Sequence, residues 1–277
     1  MYPTIIDFGP VQIGPISFPL GIRSYGLMLA LAFITGMLML RRELVRKKLE
    51  PQVADSIILA GAVGGIVGAK LYSAMQDGAI EIAELFSTSG LVWYGGLIGG
   101  TAAALFTIYK SPNPILPTLD AIGPLLLLGY GIGRVGCFLS GDGDYGQASD
   151  LPWAMAFPNG TVPTEVSVHP TPIYETVMSC IGFGLLWRIR KQQEKIPGRM
   201  FGVSLSLAGL ERFLAEFWRL NPRGLFGLTT AQFTSILMVA IGGVVIYWAT
   251  YRPMPAEAAS ISTPPPSQRR RKRRRRS

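Results

Sequence analysis

Arg134 is the residue whose type and surroundings point most directly to chemistry. It lies inside the glycine-rich segment Gly129–Gly146, directly after the largely apolar run Pro117–Leu128. A guanidinium at membrane depth costs roughly 3 kcal/mol or more, so it is normally kept for function and given an anionic partner. The glycines predict a break in helical geometry, where backbone can approach a ligand closely. An always-charged fork of five N–H donors in such a break suits the phosphate of a lipid.

A second group of ions is spaced so that one helical face carries it. Arg212, Glu216 and Arg219 stand at positions i, i+4 and i+7, which lie together on an α-helix. A self-neutralising ladder accounts for Glu216 with Arg219, but it accounts less well for Arg212. Neither Arg212 nor Arg134 has an obvious acid of its own, so these two are candidates for a functional pair. Glu175, another acid in an apolar stretch, is expected to hydrogen-bond within the helix bundle.

The composition excludes a soluble globular domain. Of the 277 residues, 49% are hydrophobic and 16% are charged, and the mean hydropathy is +0.34, whereas soluble domains carry about 25% charged residues. A helix needs about 17–25 apolar residues to cross the hydrocarbon core. Seven stretches approach or exceed that length: Tyr25–Leu40, Ile57–Met75, Leu91–Tyr109, Leu116–Leu139, Pro172–Trp187, Met200–Trp218 and Leu228–Trp248. We therefore predict an all-α polytopic membrane protein with about seven transmembrane helices.

The charged residues segregate by side in this seven-helix scheme. The basic clusters, which all fall on one side, are Arg41–Lys48, Lys110, Arg188–Arg199 and Arg252–Arg276. The positive-inside rule assigns that side to the cytoplasm, so the N-terminus is outside and the C-terminus inside. Residues 1–252 then form the membrane-embedded domain, with a small outward head at about 141–170. The glycine-rich segment opens toward the outer face.

The last 25 residues differ from the rest of the chain. Residues 253–268 are rich in Pro, Ser and Ala, and Arg269–Arg276 supplies eight positive charges. Such composition predicts a disordered cytoplasmic tail over residues 253–277. Its partners are expected to be anionic lipid headgroups rather than nucleic acid, although a merely solvated topology signal is an alternative.

The chain offers little for a disulfide framework or a metal site. Cys137 and Cys180 both lie in apolar segments, and His169 is the only histidine, which excludes a multi-histidine site. Asp142 and Asp144 are two loop acids without evident partners, which is weak support for a metal ion. We assign no metal and no cofactor.

Several segments together resemble the bacterial prolipoprotein diacylglyceryl transferase family. In family order they are Ile22–Gly26, Gly68–Tyr72, Tyr94–Gly99, Gly133–Gly141, His169–Glu175 and Arg212–Arg219. Each is weak alone, but the ordered set is specific, above all the Gly-Arg-x-Gly block around Arg134. The resemblance covers about residues 20 to 250 and leaves out the tail.

The resemblance implies a multi-pass enzyme of the bacterial inner membrane with a small periplasmic head. Its active site would face the periplasmic leaflet. It would transfer the diacylglyceryl group of phosphatidylglycerol to the thiol of a lipobox cysteine in a prolipoprotein signal peptide, releasing glycerol 1-phosphate. This is the first step of lipoprotein maturation.

The resemblance also implies site residues. Arg134 occupies the position of the signature arginine that binds the headgroup, and Arg212 matches a second essential arginine. Tyr94 completes the expected catalytic set. The residues expected to bind substrate alongside Arg134 are Tyr25, Gly95, Gly96, Gly136, Gly141, Glu216 and Arg219.

Three positions depart from the family pattern. Tyr94 stands where many members have the histidine of a His-Gly-Gly motif, Cys137 where many have Asn, and Ala208 where a tyrosine is usual. The histidine has been proposed as the base for the thiol, whereas a tyrosine, with an ordinary pKa near 10, is a poor base at neutral pH. Tyr94 either orients the headgroup, which we favour, or serves as the base. Cys137 is expected to be a small packing residue, because the family chemistry uses the substrate's thiol.

Two other functions remain open. A family member that has lost catalysis and only binds lipid would fit the substitutions at Tyr94 and Cys137. A transporter would also use intramembrane ions and broken helices, but it should show two corresponding halves, and we find none.

Overall fold

The computed structural model describes residues 1–13, 16–77 and 93–252. Seven α-helices lie within these ranges: α1 (Ser24–Arg46), α2 (Val53–Asp77), α3 (Trp93–Lys110), α4 (Ile115–Ser140), α5 (Thr171–Gln193), α6 (Arg199–Ala215) and α7 (Thr230–Tyr251). Each overlaps one of the seven predicted apolar stretches. The tail, 253–277, lies outside the described residues.

The chain is a helical membrane protein. Among the described helices, α1, α2, α4 and α7 are long and apolar enough to cross a membrane. α6 has 17 residues, which is at the lower end of the length needed to span the hydrocarbon core. The outward faces of the helices carry large apolar side chains, for example Leu59, Ile98 and Val244, which a lipid environment would cover.

Two short antiparallel hairpins accompany the helices, and the expectation of an all-α chain left them out. β1 (Thr4–Ile13) pairs with β2 (Ile16–Arg23), and β2 leads directly into α1. β3 (Met155–Phe157) pairs with β4 (Thr164–Val168) in the predicted head. Both hairpins contain the β-branched and aromatic residues that suit strands.

α4 is the central helix of the bundle. It packs against α1, α5 and α6, while α2 packs mainly on α3 and α6 on α7. The α2–α3 contact is close because glycines face each other: a Cβ on Gly68 would lie 2.3 Å from the Gly95 carbonyl oxygen, and one on Gly64 would lie 2.5 Å from the Ala103 Cβ. Gly64 and Gly68 therefore allow α2 to pack closely against α3.

The predicted break around Arg134 is absent from the described helix α4, so that prediction was wrong. α4 continues through Gly129, Gly133 and Gly136 and ends after Ser140. The turn comes at Gly141, which has φ +58° and donates its N–H to the Cys137 carbonyl oxygen at 2.9 Å. The backbone stays helical through these glycines and leaves the helix at Gly141, whose left-handed conformation favours glycine.

Candidate functional site

Arg134 lies near the C-terminal end of α4 and is held on several sides. Its Nε is 2.6 Å from Oε2 of Glu175, and its Nη1 donates to Asp144. The same Nη1 lies 3.7 Å from the Cys137 sulfur, and the guanidinium carbon is 4.8 Å from the centroid of the Tyr130 ring. No acid next to Arg134 in sequence pairs with it, and its partners are Asp144 in the loop after α4 and Glu175 in α5.

Arg219 completes a ring of four charges with Arg134. Arg219 Nη1 lies 2.9 Å from Glu175 Oε1, and its Nη2 donates to Asp144. Each acid thus bridges both arginines, and Glu175 is fully buried. Two positive and two negative charges balance, which limits the cost of taking them out of water.

The loop after α4 brings Asp144 to the ring. Gly146 forms an isolated antiparallel bridge with Arg219, and Gln147 N–H donates to the Trp218 carbonyl oxygen at 2.9 Å. A Cβ at Gly146 would lie 2.3 Å from that carbonyl oxygen, so glycine is required for this approach. This contact between the two chain segments places Asp144 beside Arg219.

The two arginines of the four-charge ring determine the protonation state of Asp144. Burial raises the pKa of this carboxyl, but the Arg134 and Arg219 guanidinium groups lower it more, so its pKa lies below the usual range. Asp142, two residues earlier, has a raised pKa, chiefly because burial disfavours its charged form. Asp144 is therefore a carboxylate at neutral pH and a full counter-charge for the two arginines.

Arg212 pairs with Glu216, the acid that the sequence analysis had paired with Arg219. Arg212 Nη2 lies 2.6 Å from Glu216 Oε2, whereas Arg219 Nε is 4.0 Å from the same oxygen. Asn221 donates to the other oxygen of Glu216 at 2.5 Å. Nη1 of Arg212 is buried and has no hydrogen-bond partner among the described residues. A buried guanidinium nitrogen without an acceptor is costly unless a ligand fills the position.

Tyr25 lies against Gly136 of α4, and Gly141 ends the same helix. A Cβ at Gly136 would lie 3.3 Å from the Tyr25 Cα, so α1 and α4 meet there. Tyr25 is 44% exposed. At Gly141, a Cβ would lie 2.7 Å from the Gly160 Cα, which ties the end of α4 to the head. Their roles in substrate binding stay predictions.

Tyr94, Gly95 and Gly96 lie in the first turn of α3, which packs on α2 much more extensively than on α4. Gly95 and Gly96 both face α2: a Cβ at Gly95 would meet the Gly68 carbonyl oxygen at 2.3 Å, and one at Gly96 would lie 3.4 Å from that of Gly65. Tyr94 is 39% exposed. The structure therefore gives these glycines a helix-packing role, and their contact with substrate stays a prediction.

One group in the described residues has the spacing of a metal site. Ligand atoms of Cys137, Asp142 and Asp144 lie within 4.8 Å of one another. However, both oxygens of Asp144 accept from arginines, and the Arg134 guanidinium adjoins the group. These neighbours suit an anion better than a second cation.

Sequence reasoning missed two members of the site. Tyr130 lies four residues before Arg134, and this i, i+4 spacing on a helix was a usable signal. Asp144 was considered only as a weak metal ligand, and nothing local in the sequence pairs it with Arg219, which lies 75 residues later.

The arrangement can bind and stabilise an anion. The contacts of Arg134 to described residues use Nε and Nη1, which leaves Nη2 available, and Arg212 retains Nη1. Guanidinium N–H groups that are already fixed in position bind phosphate oxygens with little further loss of freedom.

Comparisons with known proteins agree with this chemistry. A family model described as prolipoprotein diacylglyceryl transferase matches residues 13–248. A Clostridium tetani protein named phosphatidylglycerol–prolipoprotein diacylglyceryl transferase is 33% identical over 232 residues, covering 81% of this chain and 92% of that protein. A Vibrio parahaemolyticus protein of the same name is 30% identical over 274 residues, covering 93% and 96%. The chain belongs to the prolipoprotein diacylglyceryl transferase family.

Proposed function

We propose that this protein transfers the diacylglyceryl group of phosphatidylglycerol to the lipobox cysteine thiol of prolipoproteins and releases glycerol 1-phosphate. The name that its relatives carry supports both substrates. The observation that carries the proposal is the buried arginine cluster at one end of α4, α5 and α6, in which Arg212 Nη1 has no partner among the described residues. A phosphodiester headgroup is an acceptor that fits it.

The reaction is a nucleophilic substitution at a glycerol carbon. The C–S bond forms as the C–O bond to phosphate breaks, and the thiol proton passes to a base. Negative charge grows on the departing phosphate, so fixed guanidinium donors stabilise the transition state more than the ground state. We assign Arg134 and Arg212 this role, and Glu216 and Arg219 the positioning of these donors.

The direct test uses purified protein in phosphatidylglycerol nanodiscs with a lipobox peptide. We expect glycerol 1-phosphate to appear in step with thioether-linked peptide. A peptide with serine in place of the lipobox cysteine, and nanodiscs of phosphatidylethanolamine alone, should both give none. If phosphatidylglycerol binds but no glycerol 1-phosphate appears, the protein is a lipid-binding family member that has lost catalysis.

All seven helices are proposed to cross the bacterial inner membrane, with the N-terminus and the arginine cluster on the periplasmic side. The segregation of basic residues supports this orientation. On a background in which Cys137 and Cys180 are replaced by serine, we expect Ser149→Cys to react with an impermeant thiol reagent in spheroplasts. Ser267→Cys should react only after the membrane is permeabilised. Equal labelling of both sites in intact spheroplasts would contradict the topology.

The tail, residues 253–277, is proposed to lie on the cytoplasmic leaflet against anionic headgroups. Each Lys or Arg near such a surface contributes about 1 kcal/mol, and Arg269–Arg276 carries eight positive charges. Because the family match ends at residue 248, the tail is not part of the proposed catalytic machinery.

Tyr94 is proposed to orient the headgroup rather than to accept the thiol proton. Tyr94→Phe should therefore lower turnover by no more than about tenfold, since one neutral hydrogen bond is worth roughly 0.5–1.5 kcal/mol. The measurement is initial glycerol 1-phosphate release across pH 6–9. A loss of a hundredfold or more in protein with an unchanged melting temperature would instead identify the phenol as the base.

A further inference from the structure

We propose that Tyr130 is a positioning residue that sets the plane of the Arg134 guanidinium and leaves its Nη2 for the substrate phosphate. This inference rests on the proposed function and adds a residue to it. Tyr130 lies one helical turn before Arg134 on α4, so the two side chains share a face of the helix.

The tyrosine ring fixes the flat face of the arginine. The Arg134 Cζ lies 4.8 Å from the ring centroid, within the range of a cation–π contact. Such a contact strengthens when water is excluded, and the Arg134 side chain is only 14% exposed. This contact therefore restricts rotation of the guanidinium about the Cδ–Nε and Nε–Cζ bonds of Arg134.

The Tyr130 hydroxyl acts on Arg134 through Glu175, the carboxylate that pairs with Arg134 Nε. It donates to Glu175 Oε2, the same oxygen that lies 2.6 Å from Arg134 Nε. Glu175 is fully buried, and its other oxygen is 2.9 Å from Arg219 Nη1. A single side chain thus contacts both the arginine and the carboxylate that orients it.

The remaining contacts define what Arg134 can offer a ligand. Nη1 is taken by Asp144 and Nε by Glu175, so Nη2 is the nitrogen without a hydrogen bond to the described residues.

Two substitutions separate the ring from the hydroxyl. Tyr130→Phe keeps the stack and should lower kcat about three- to tenfold, and Tyr130→Leu removes both contacts and should lower it about 30-fold or more. KM for phosphatidylglycerol should change less than about threefold, since the charge of Arg134 remains and only its alignment in the transition state is lost. Tyr247→Leu, at an exposed position of α7, is the matched control. Its kcat and KM should equal those of the wild type.

A second measurement does not depend on turnover. In protein with ¹⁵N-labelled arginine, solvent exchange of the Arg134 Nε–H should accelerate about tenfold or more in Tyr130→Leu and stay unchanged in Tyr247→Leu. Wild-type kcat together with wild-type exchange in Tyr130→Leu would overturn the positioning role. Equal kcat in the Phe and Leu variants would overturn the stacking role of the ring. An inactive wild type would overturn the proposed function, and the exchange measurement would still decide the role of Tyr130.

Discussion

Arg134→Lys is expected to lower glycerol 1-phosphate release by about 100- to 1000-fold, the range measured when a fixed donor to a developing anion is removed. Lysine keeps the positive charge but lacks the planar fork. It cannot contact Glu175, Asp144 and a phosphate at once in the geometry that Nε, Nη1 and Nη2 provide. Arg134→Ala should lose at least as much.

The control for this prediction is Arg188→Lys, an exposed arginine near the other end of α5. This substitution should leave turnover unchanged within about twofold, because Arg188 does not contact the four-charge ring around Arg134. Turnover in Arg134→Lys above about a third of the wild-type rate would contradict a role for the guanidinium fork and leave Arg134 a structural residue.

Glu175→Leu is expected to produce the largest loss of stability. Its two oxygens lie 2.6 Å from Arg134 Nε and 2.9 Å from Arg219 Nη1, and the side chain is fully buried. Removing one partner of a buried ion pair leaves uncompensated charge and typically costs about 3–5 kcal/mol. Equilibrium unfolding in mixed micelles should show this as a reduced free energy of unfolding.

Glu194→Leu provides the comparison. Glu194 also pairs with arginine, at Arg46, but its side chain is 32% exposed, so water and salt screen the pair and its loss should cost about 1 kcal/mol or less. If both substitutions cost the same, the acids of the ring are not the source of the stability that we assign to them.

The sequence alone determined the membrane character and the approximate helix positions, and it selected Arg134 as a candidate site residue. These features depend on local properties: the length of apolar runs, the cost of a charge within them, and motif spacing. The same reasoning placed Arg212, Glu216 and Arg219 on one helical face. The structure confirms the pairing of Arg212 with Glu216, the C-cap residue, but α6 ends at Ala215, so Arg219 lies beyond the helix and its predicted place on that face was wrong. The sequence reasoning paired Glu216 with Arg219, whose Nε lies 4.0 Å from the carboxylate, and missed the closer contact with Arg212 at 2.6 Å, because i, i+3 and i, i+4 spacings are both compatible with a helical pair.

Only the tertiary structure decided which acids hold the arginines. Glu175 lies 44 residues from Arg219 in sequence, and Asp144 lies 75 residues from it. Their meeting depends on the packing of α4 against α5 and on the crossing of Gly146 with Trp218. The structure also decided that α4 continues through its glycines, because a glycine permits a break in a helix without requiring one. Local propensity limits which conformations a segment adopts, whereas the partner of a buried charge depends on chain segments that only the complete fold brings together.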